Sequence, residues 1–168
     1  MALTPAMDGI DTPRLQIVPL SLEEADAMVH GQRPVEHRWA PDYPTDATLV
    51  AAGLVVTAEA EGRDLRPWTA YQVIRRSDGV AVGGCGFGLG GPDPQGRVNI
   101  AFSIVDSERG QGYAAEALSA MIAWAKRQPG VTRVLAETAA TNTRGLQVFE
   151  RSGMRRAGSD GQLVFFEA

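Results

Sequence analysis

Arg109-Gly110-Gln111-Gly112-Tyr113-Ala114 follows an apolar extended run, Ile100 to Val105, and opens an alanine-rich stretch with helical periodicity. Strand, glycine-bearing turn and helix start, in that order, make a cradle for an anion. Gly110 and Gly112 lack Cβ atoms where the backbone must turn tightly, so successive N–H groups can converge at the positive end of the following helix dipole. Arg109 adds a fixed cation at the rim. The plainer reading is a connector, but a connector does not need Arg, two Gly and an Ala at a helix start.

Read from Gly110, the stretch is also Gly-x-Gly-x-x-Ala, the loose form of the dinucleotide fingerprint, which is weak by itself. A Rossmann unit places its first glycine directly after the strand, with most of a doubly wound sheet still to come. Here Asp106 to Arg109 intervene, and only the last third of the chain follows Gly110. A dinucleotide-dependent oxidoreductase is therefore disfavoured.

The chain has 168 residues and a net charge of −4, a length that favours one domain and a charge that offers nucleic acid or an anionic membrane no overall footprint. Any basic site must be local. Arginine supplies all but one of the 16 cationic residues, Lys126 being the exception, a bias attributed to base composition before function. Cys85 is the only cysteine, which excludes an internal disulfide and a cysteine-ligated metal cluster. Among Gly83, Gly84 and Gly86 it reads as a small buried thiol; an acylated nucleophile is the alternative, with His30 and His37 both far away in sequence. Met1 to Asp11 lacks a signal pattern, and no run approaches a membrane span, so a cytoplasmic protein is expected.

Along the chain, residues 1–12 are expected to form a loose arm, and Arg14 to Pro19 a first strand. Ser21-Leu22-Glu23-Glu24 fits a capping box for a helix ending near Gly31, with Leu22, Ala25, Met28 and Val29 on one face and His30 at its surface end. Arg33 to Thr45 carries three prolines and two aromatics, so it predicts an ordered loop. Such a loop either meets a ligand or packs Trp39 and Tyr43 onto the core as a lid. Asp46 is placed to cap a second helix, Ala47 to Ala60, ended by Gly62.

Trp68 to Ile74 and Val80 to Gly88 predict a hairpin about Ser77-Asp78-Gly79. Gly88 to Gly96 reads as a mobile hairpin loop, since no helix follows it, and Val98 to Val105 as the next strand. A helix from Tyr113 to about Arg127 buries Ala114, Ala117, Leu118, Met121 and Ala125 and turns Glu116, Ser119 and Lys126 outward. Val131 to Thr138 is a strand, Asn142 caps a helix through Ser152, and Gly153 ends it in left-handed conformation. Arg155 to Ser159 and Gln162 to Glu167 form a last pair. The order β-α-α-β-β-β-α-β-α-β-β predicts an α/β protein, of mixed α+β type: one domain with a mixed sheet of about seven strands flanked by about four helices.

Read from Arg109, the decisive stretch is Arg-x-x-Gly-x-Ala, which resembles the pyrophosphate-binding motif of the GNAT superfamily of acetyl-CoA-dependent N-acetyltransferases. The element order is similar to the GNAT fold over nearly the whole chain. Glu137-x4-Asn142-x6-Phe149-x3-Gly153-Met154 looks like the family segment that reads acidic residue, Asn, then Tyr before a Gly-Phe pair. Thr12-Pro13-Arg14-Leu15 and Arg-Gly-Gln-Gly-Tyr-Ala-Ala-Glu-Ala resemble the branch that contains ribosomal-protein N-terminal acetyltransferases.

The resemblance implies that backbone groups of Ile104 and Val105 pair with the pantetheine arm of acetyl-CoA, and that Arg109, Gly110, Gln111, Gly112, Tyr113 and Ala114 hold its pyrophosphate. Asn142 touches the pantetheine or cysteamine portion, serves as a helix cap, or does both, and Phe149 packs beside the thioester. No metal is implied. The partners implied are acetyl-CoA and an amine acceptor, a protein N-terminus or a small molecule, with a homodimer among the assemblies allowed.

Amine acetylation requires deprotonation of the amine, a held thioester, donors for its oxyanion, and protonation of the thiolate. Glu137 is the expected base, with burial raising its pKa towards working pH; an exposed ion-paired glutamate is the alternative. The Val105 N–H is the expected oxyanion donor, on the ground that a splayed strand leaves amides unpaired there. Two residues depart from the family pattern. Phe149 stands where a tyrosine acid is common and Asn99 where a glutamate is common, so the thiolate's proton falls to Ser103, Tyr113 or water. These departures keep a non-catalytic acyl-CoA-binding module as the competing function.

Overall fold

Local sequence signals set most element ends. The computed structural model describes residues 8–33, 38–88 and 90–168. In chain order it has β1 (Ile10–Asp11), β2 (Leu15–Pro19), α1 (Leu22–Val29), β3 (Arg38–Trp39), α2 (Asp46–Ala60), β4 (Ala70–Arg75), β5 (Val80–Phe87), β6 (Arg97–Ile104), α3 (Tyr113–Lys126), β7 (Arg133–Ala139), α4 (Thr143–Arg151), β8 (Arg155–Ser159) and β9 (Leu163–Glu167). The Ser21 hydroxyl accepts the Glu24 N–H at 3.1 Å and starts α1, as a capping box should. Thr45, not Asp46, caps α2: its hydroxyl accepts the Thr48 N–H at 3.2 Å, and Asp46 becomes the first helical residue. An acid there still favours the helix dipole.

The seven expected strands are present, and the two additional ones are the two-residue β1 and β3. Ile10 and Asp11 pair with Ile17 and Gln16, so the expected loose arm does not reach them; residues 1–7 lie outside the described residues. β3 pairs in parallel with the start of β5, within the segment expected to be a loop. The sheet runs β1-β2-β4-β5-β6-β7-β9-β8. Every neighbouring pair on that path is antiparallel except β6 and β7, whose parallel pairing is allowed by the long crossover that α3 provides.

The two faces of the sheet bury separate cores. On one, Tyr71, Val73, Val98 and Ile100 meet Leu118 and Met121 of α3 and Phe149 of α4. On the other, Ile74 and Ala81 lie against Ala25 and Met28 of α1 and Ala52 of α2. The face expected for α1 is rotated: Leu22 and Val29 are 43% and 48% exposed while Glu24 is buried. Cys85 is buried, and burial pushes its thiol up to about 12, which fits a structural thiol and not a nucleophile.

Candidate active site

β6 and β7 are paired only at Arg97–Arg133, Val98–Val134 and Asn99–Leu135, after which they diverge. Which backbone groups face the gap follows from the register with β5. The Val105 N–H donates to the Val82 carbonyl at 3.0 Å, and the Gly88 N–H donates to the Asn99 carbonyl at 2.8 Å. Hydrogen-bonded and non-hydrogen-bonded pairs alternate along an antiparallel ladder, so the amides of Phe102 and Ile104 turn the other way, towards the gap. Ile104 is therefore open to an extended ligand. Val105 is not: the expected oxyanion donor is already engaged, because pairing with β5 continues one residue past β6 while the splay lies on the opposite edge.

Beyond β6, one turn of 3-10 helix, Asp106–Glu108, leads into the glycine turn. Arg109 forms an ion pair with Asp106 at 2.8 Å. Gly110 and Gly112 both adopt left-handed backbone, with φ of +78° and +82°. Gly112 caps α3 with no side chain, which leaves the first-turn N–H groups of the helix facing outward as an anion would require.

Three braces fix this turn. Asp42 accepts hydrogen bonds from the Ser107 N–H at 2.9 Å and the Ser107 hydroxyl at 2.5 Å, which hold its carboxyl below the usual range. Glu108 pairs with Arg75 at 2.7 Å. The third is Arg14, whose Nη1 donates to the Gln111 carbonyl at 2.7 Å, whose Nε donates to Glu116 Oε2 at 2.7 Å, and whose guanidinium lies 4.8 Å from the centre of the Tyr113 ring. Glu116 also accepts from the Thr12 hydroxyl at 2.6 Å and the Arg14 N–H at 3.0 Å. In place of a free outward side chain, Glu116 makes a half-buried tie between α3 and the entry to β2.

Ile104, Val105, Arg109, Gly110, Gly112, Tyr113, Ala114, Glu137, Asn142 and Phe149 line one cleft of about 1010 Å³. Gln111 alone of the expected cofactor residues stays outside it. Asn142 is a cap: Oδ1 accepts the Gly145 N–H at 3.0 Å, and Nδ2 donates to the Thr138 hydroxyl at 2.8 Å. Phe149, 3% exposed, packs against Phe102 and Phe166 with ring centres 5.3 and 5.1 Å away. Glu137 is exposed, so the burial expected for it does not occur. It stands where the cleft meets a second cavity of about 530 Å³, which Asn99 also lines.

Ser103 lines both cavities, and its hydroxyl is hydrogen-bonded to that of Thr45. Tyr113 is packed beneath Arg14. The aromatic loop packs onto the core: Tyr43 is buried against Trp39 at 5.3 Å, its phenol pushed far above the usual range by burial and by Glu24 and Cys85, and Asp42, Pro44 and Thr45 line the cleft. His30 sits at the exposed end of α1, its Nδ1 2.9 Å from the Asp26 carbonyl oxygen, and His37 lies outside the described residues. Thr45, Arg144 and Arg151 at the cleft and Gln72 at the second cavity are site residues without an expected role. Arg144 and Arg151 had a local signal, since they lie two turns apart on α4.

The family model described as acetyltransferase (GNAT) domain matches residues 14–155. An uncharacterized N-acetyltransferase of Bacillus subtilis is 33% identical over 84 residues, 50% of this chain and 49% of its own, so the chain spans about half the length of the curated relative it matches. A GNAT-family acetyltransferase from Bacillus anthracis is similar in structure with a TM-score of 0.67, at 18% identity, covering 95% of this chain and 97% of its own. RimL, a ribosomal alpha-N-protein acetyltransferase solved in complex with coenzyme A, gives a TM-score of 0.65 at 15% identity, with 95% and 97% coverage. These structural likenesses establish a shared fold.

Proposed function

Because this chain belongs to the GNAT acetyltransferase family, we propose that it moves an acetyl group from acetyl-CoA to a primary amine, of a protein N-terminus or a small molecule, by direct attack on the thioester. One observation carries this reading. The gap between β6 and β7, the two left-handed glycines and the N-terminus of α3 all open into a single cleft.

In this reading the pyrophosphate lies on the N–H groups of the Gly110 to Ala114 turn, with Arg109 at its rim, and the pantetheine arm pairs with the backbone of Ile104. No helix among the described residues is long and apolar enough to cross a membrane, and a cytoplasmic location belongs to the proposal. Glu137 takes one proton from the incoming ammonium, directly or through water. The neutral nitrogen then forms its bond to the carbonyl carbon, and the oxyanion is met by the Phe102 N–H facing the gap. As the C–S bond breaks, the surplus proton on nitrogen passes to the thiolate through Ser103 or water, giving amide and CoA thiol. Phe149 contributes packing and no proton.

Phe149 is also the observation that favours a second reading, an acyl-CoA-binding module without turnover. CoA release followed across a panel of primary amines decides between them. Release with at least one amine supports the enzyme; tight CoA binding with no release from any amine supports the module.

A further inference from the structure

We propose that the acceptor is an apolar monoamine bearing a neutral hydrogen-bonding group such as a carboxamide, and that Gln72 selects it. This rests on the acetyltransferase reading above. The second cavity shares Ala47, Ala101, Phe102, Ser103 and Glu137 with the cofactor cleft, so an amine lying in it can present its nitrogen to the Glu137 carboxylate at the junction.

The charges around that cavity limit what it can hold. Among the described residues that line it, Glu137 is the only one that carries charge at neutral pH. Tyr71 donates its hydroxyl to the Pro67 carbonyl at 2.6 Å, and Cys85 is kept neutral by burial. A carboxylate on the acceptor would be desolvated there with no cation to meet it, and a second ammonium would lack a second carboxylate. Free amino acids, polyamines and aminoglycosides therefore fit poorly. The walls suit an apolar body: Leu20, Ala51 and Leu54, with glycines at 84 and 86.

Gln72 supplies the polar end. Gln72 pairs with Gly84, at which a Cβ would lie 3.0 Å from the Thr48 hydroxyl of α2, and directly paired residues share a face, so Gln72 is turned towards Thr48 and Ala51 of α2. Gln72 is fully buried, and both Nε2 and Oε1 are without a hydrogen-bond partner. Buried polar atoms are almost always satisfied, so an orphaned carboxamide lining a cavity points to a partner that arrives with the occupant. It offers one kind of donor and one kind of acceptor with no charge, and another amide complements both.

The test compares leucinamide, free leucine, 1,4-diaminobutane and isopentylamine by CoA release, in the parent and in Gln72→Leu. The parent should use leucinamide with kcat/KM at least about tenfold above leucine and diaminobutane. Gln72→Leu should lower kcat/KM for leucinamide about tenfold or more while isopentylamine stays within about threefold, a split that a merely structural role would not produce. Unchanged calorimetric CoA affinity shows that the variant is folded; if Gln72→Leu does not fold, Gln72→Met replaces it. Preference for leucine or diaminobutane, or an unaltered leucinamide-to-isopentylamine ratio in the variant, overturns the inference and leaves the acetyltransferase reading standing. Silence with every amine, CoA still binding, overturns both.

Discussion

Arg14, immediately ahead of β2, grips Glu116 in the first turn of α3 through Nε at 2.7 Å and reaches the Gln111 carbonyl with Nη1 at the same distance. One guanidinium thus joins the sheet, the helix and the glycine turn. The Thr12 to Leu15 phrase and the Glu116 of the turn-helix phrase are far apart in sequence and form a single contact in space.

Breaking either partner should loosen the turn. In a double-mutant cycle, Arg14→Ala and Glu116→Gln are expected to couple by about 1 kcal/mol, because Arg14 is half exposed and water screens the pair. CoA affinity should fall in both single variants. Chemical denaturation of the four proteins and calorimetric CoA titration measure the two effects; strictly additive losses would mean that the pair does not brace the turn.

The same contact makes stability depend on acid. Burial pushes the Glu116 carboxyl up, but hydrogen bonds from the Thr12 hydroxyl and from the Arg14 backbone and guanidinium outweigh it, and its pKa lies below the ordinary 4.5. The ionised form therefore stabilises the fold. That contribution is complete above pH 4.5 and disappears as falling pH protonates the group in the folded protein. Glu116→Gln should flatten the acid limb of the stability curve, read from denaturation midpoints along a pH series.

Two glycine substitutions separate backbone strain from ligand contact. A Cβ on Gly110 would meet nothing within 4 Å, whereas one on Gly112 would lie 3.3 Å from Arg14 Nη2, and both sites are left-handed. Gly110→Ala should cost about 1–2 kcal/mol of stability. Gly112→Val should in addition weaken CoA binding far more than it lowers the melting temperature. Equal CoA affinity in a folded Gly112→Val protein would remove the pyrophosphate from this turn.

Glu137→Gln keeps the shape of the side chain and removes its basicity. With the best amine, kcat/KM should fall roughly 10²- to 10⁴-fold while CoA affinity is unchanged. Retention of activity within about threefold would place the proton elsewhere or mean that the amine arrives neutral.

Phe149 is enclosed by Phe102 and Phe166 and is almost inaccessible. Phe149→Ala should lose about 3–5 kcal/mol through the cavity left behind. Phe149→Tyr tests chemistry instead. Turnover equal to or above that of the parent is expected; a parent inactive with every amine whose Phe149→Tyr variant turns over would make the parent a binding module.

What could be read from the sequence was what is decided locally. The Gly110 and Gly112 turn, the Asn142 cap and the Ser77-Asp78-Gly79 hairpin are each written in a few adjacent residues, and each formed as read. Val105 misled because its amide is satisfied by Val82, a partner that only the β5–β6 register reveals. Glu116 misled because helical periodicity marks a residue as outward without knowing that Arg14 crosses there. Thr45 and Asp46 are both good capping residues, and adjacency left the choice to tertiary packing. Gln72 gave no signal at all, since an isolated glutamine in an apolar strand becomes informative only when its carboxamide is found without a partner.

The three residue pairs that join β6 to β7 are a narrow seam in an otherwise continuous sheet. On one side stand β1 to β6 with α1 and α2, on the other β7, β9, β8 and α4, and a ligand lying in the gap would stitch the two by hydrogen-bonding to both edges. Local opening of the C-terminal third should then become rarer as the gap fills. Amide hydrogen exchange in β7 and β9 would serve as a gauge of occupancy that needs neither an acceptor nor a catalytic cycle.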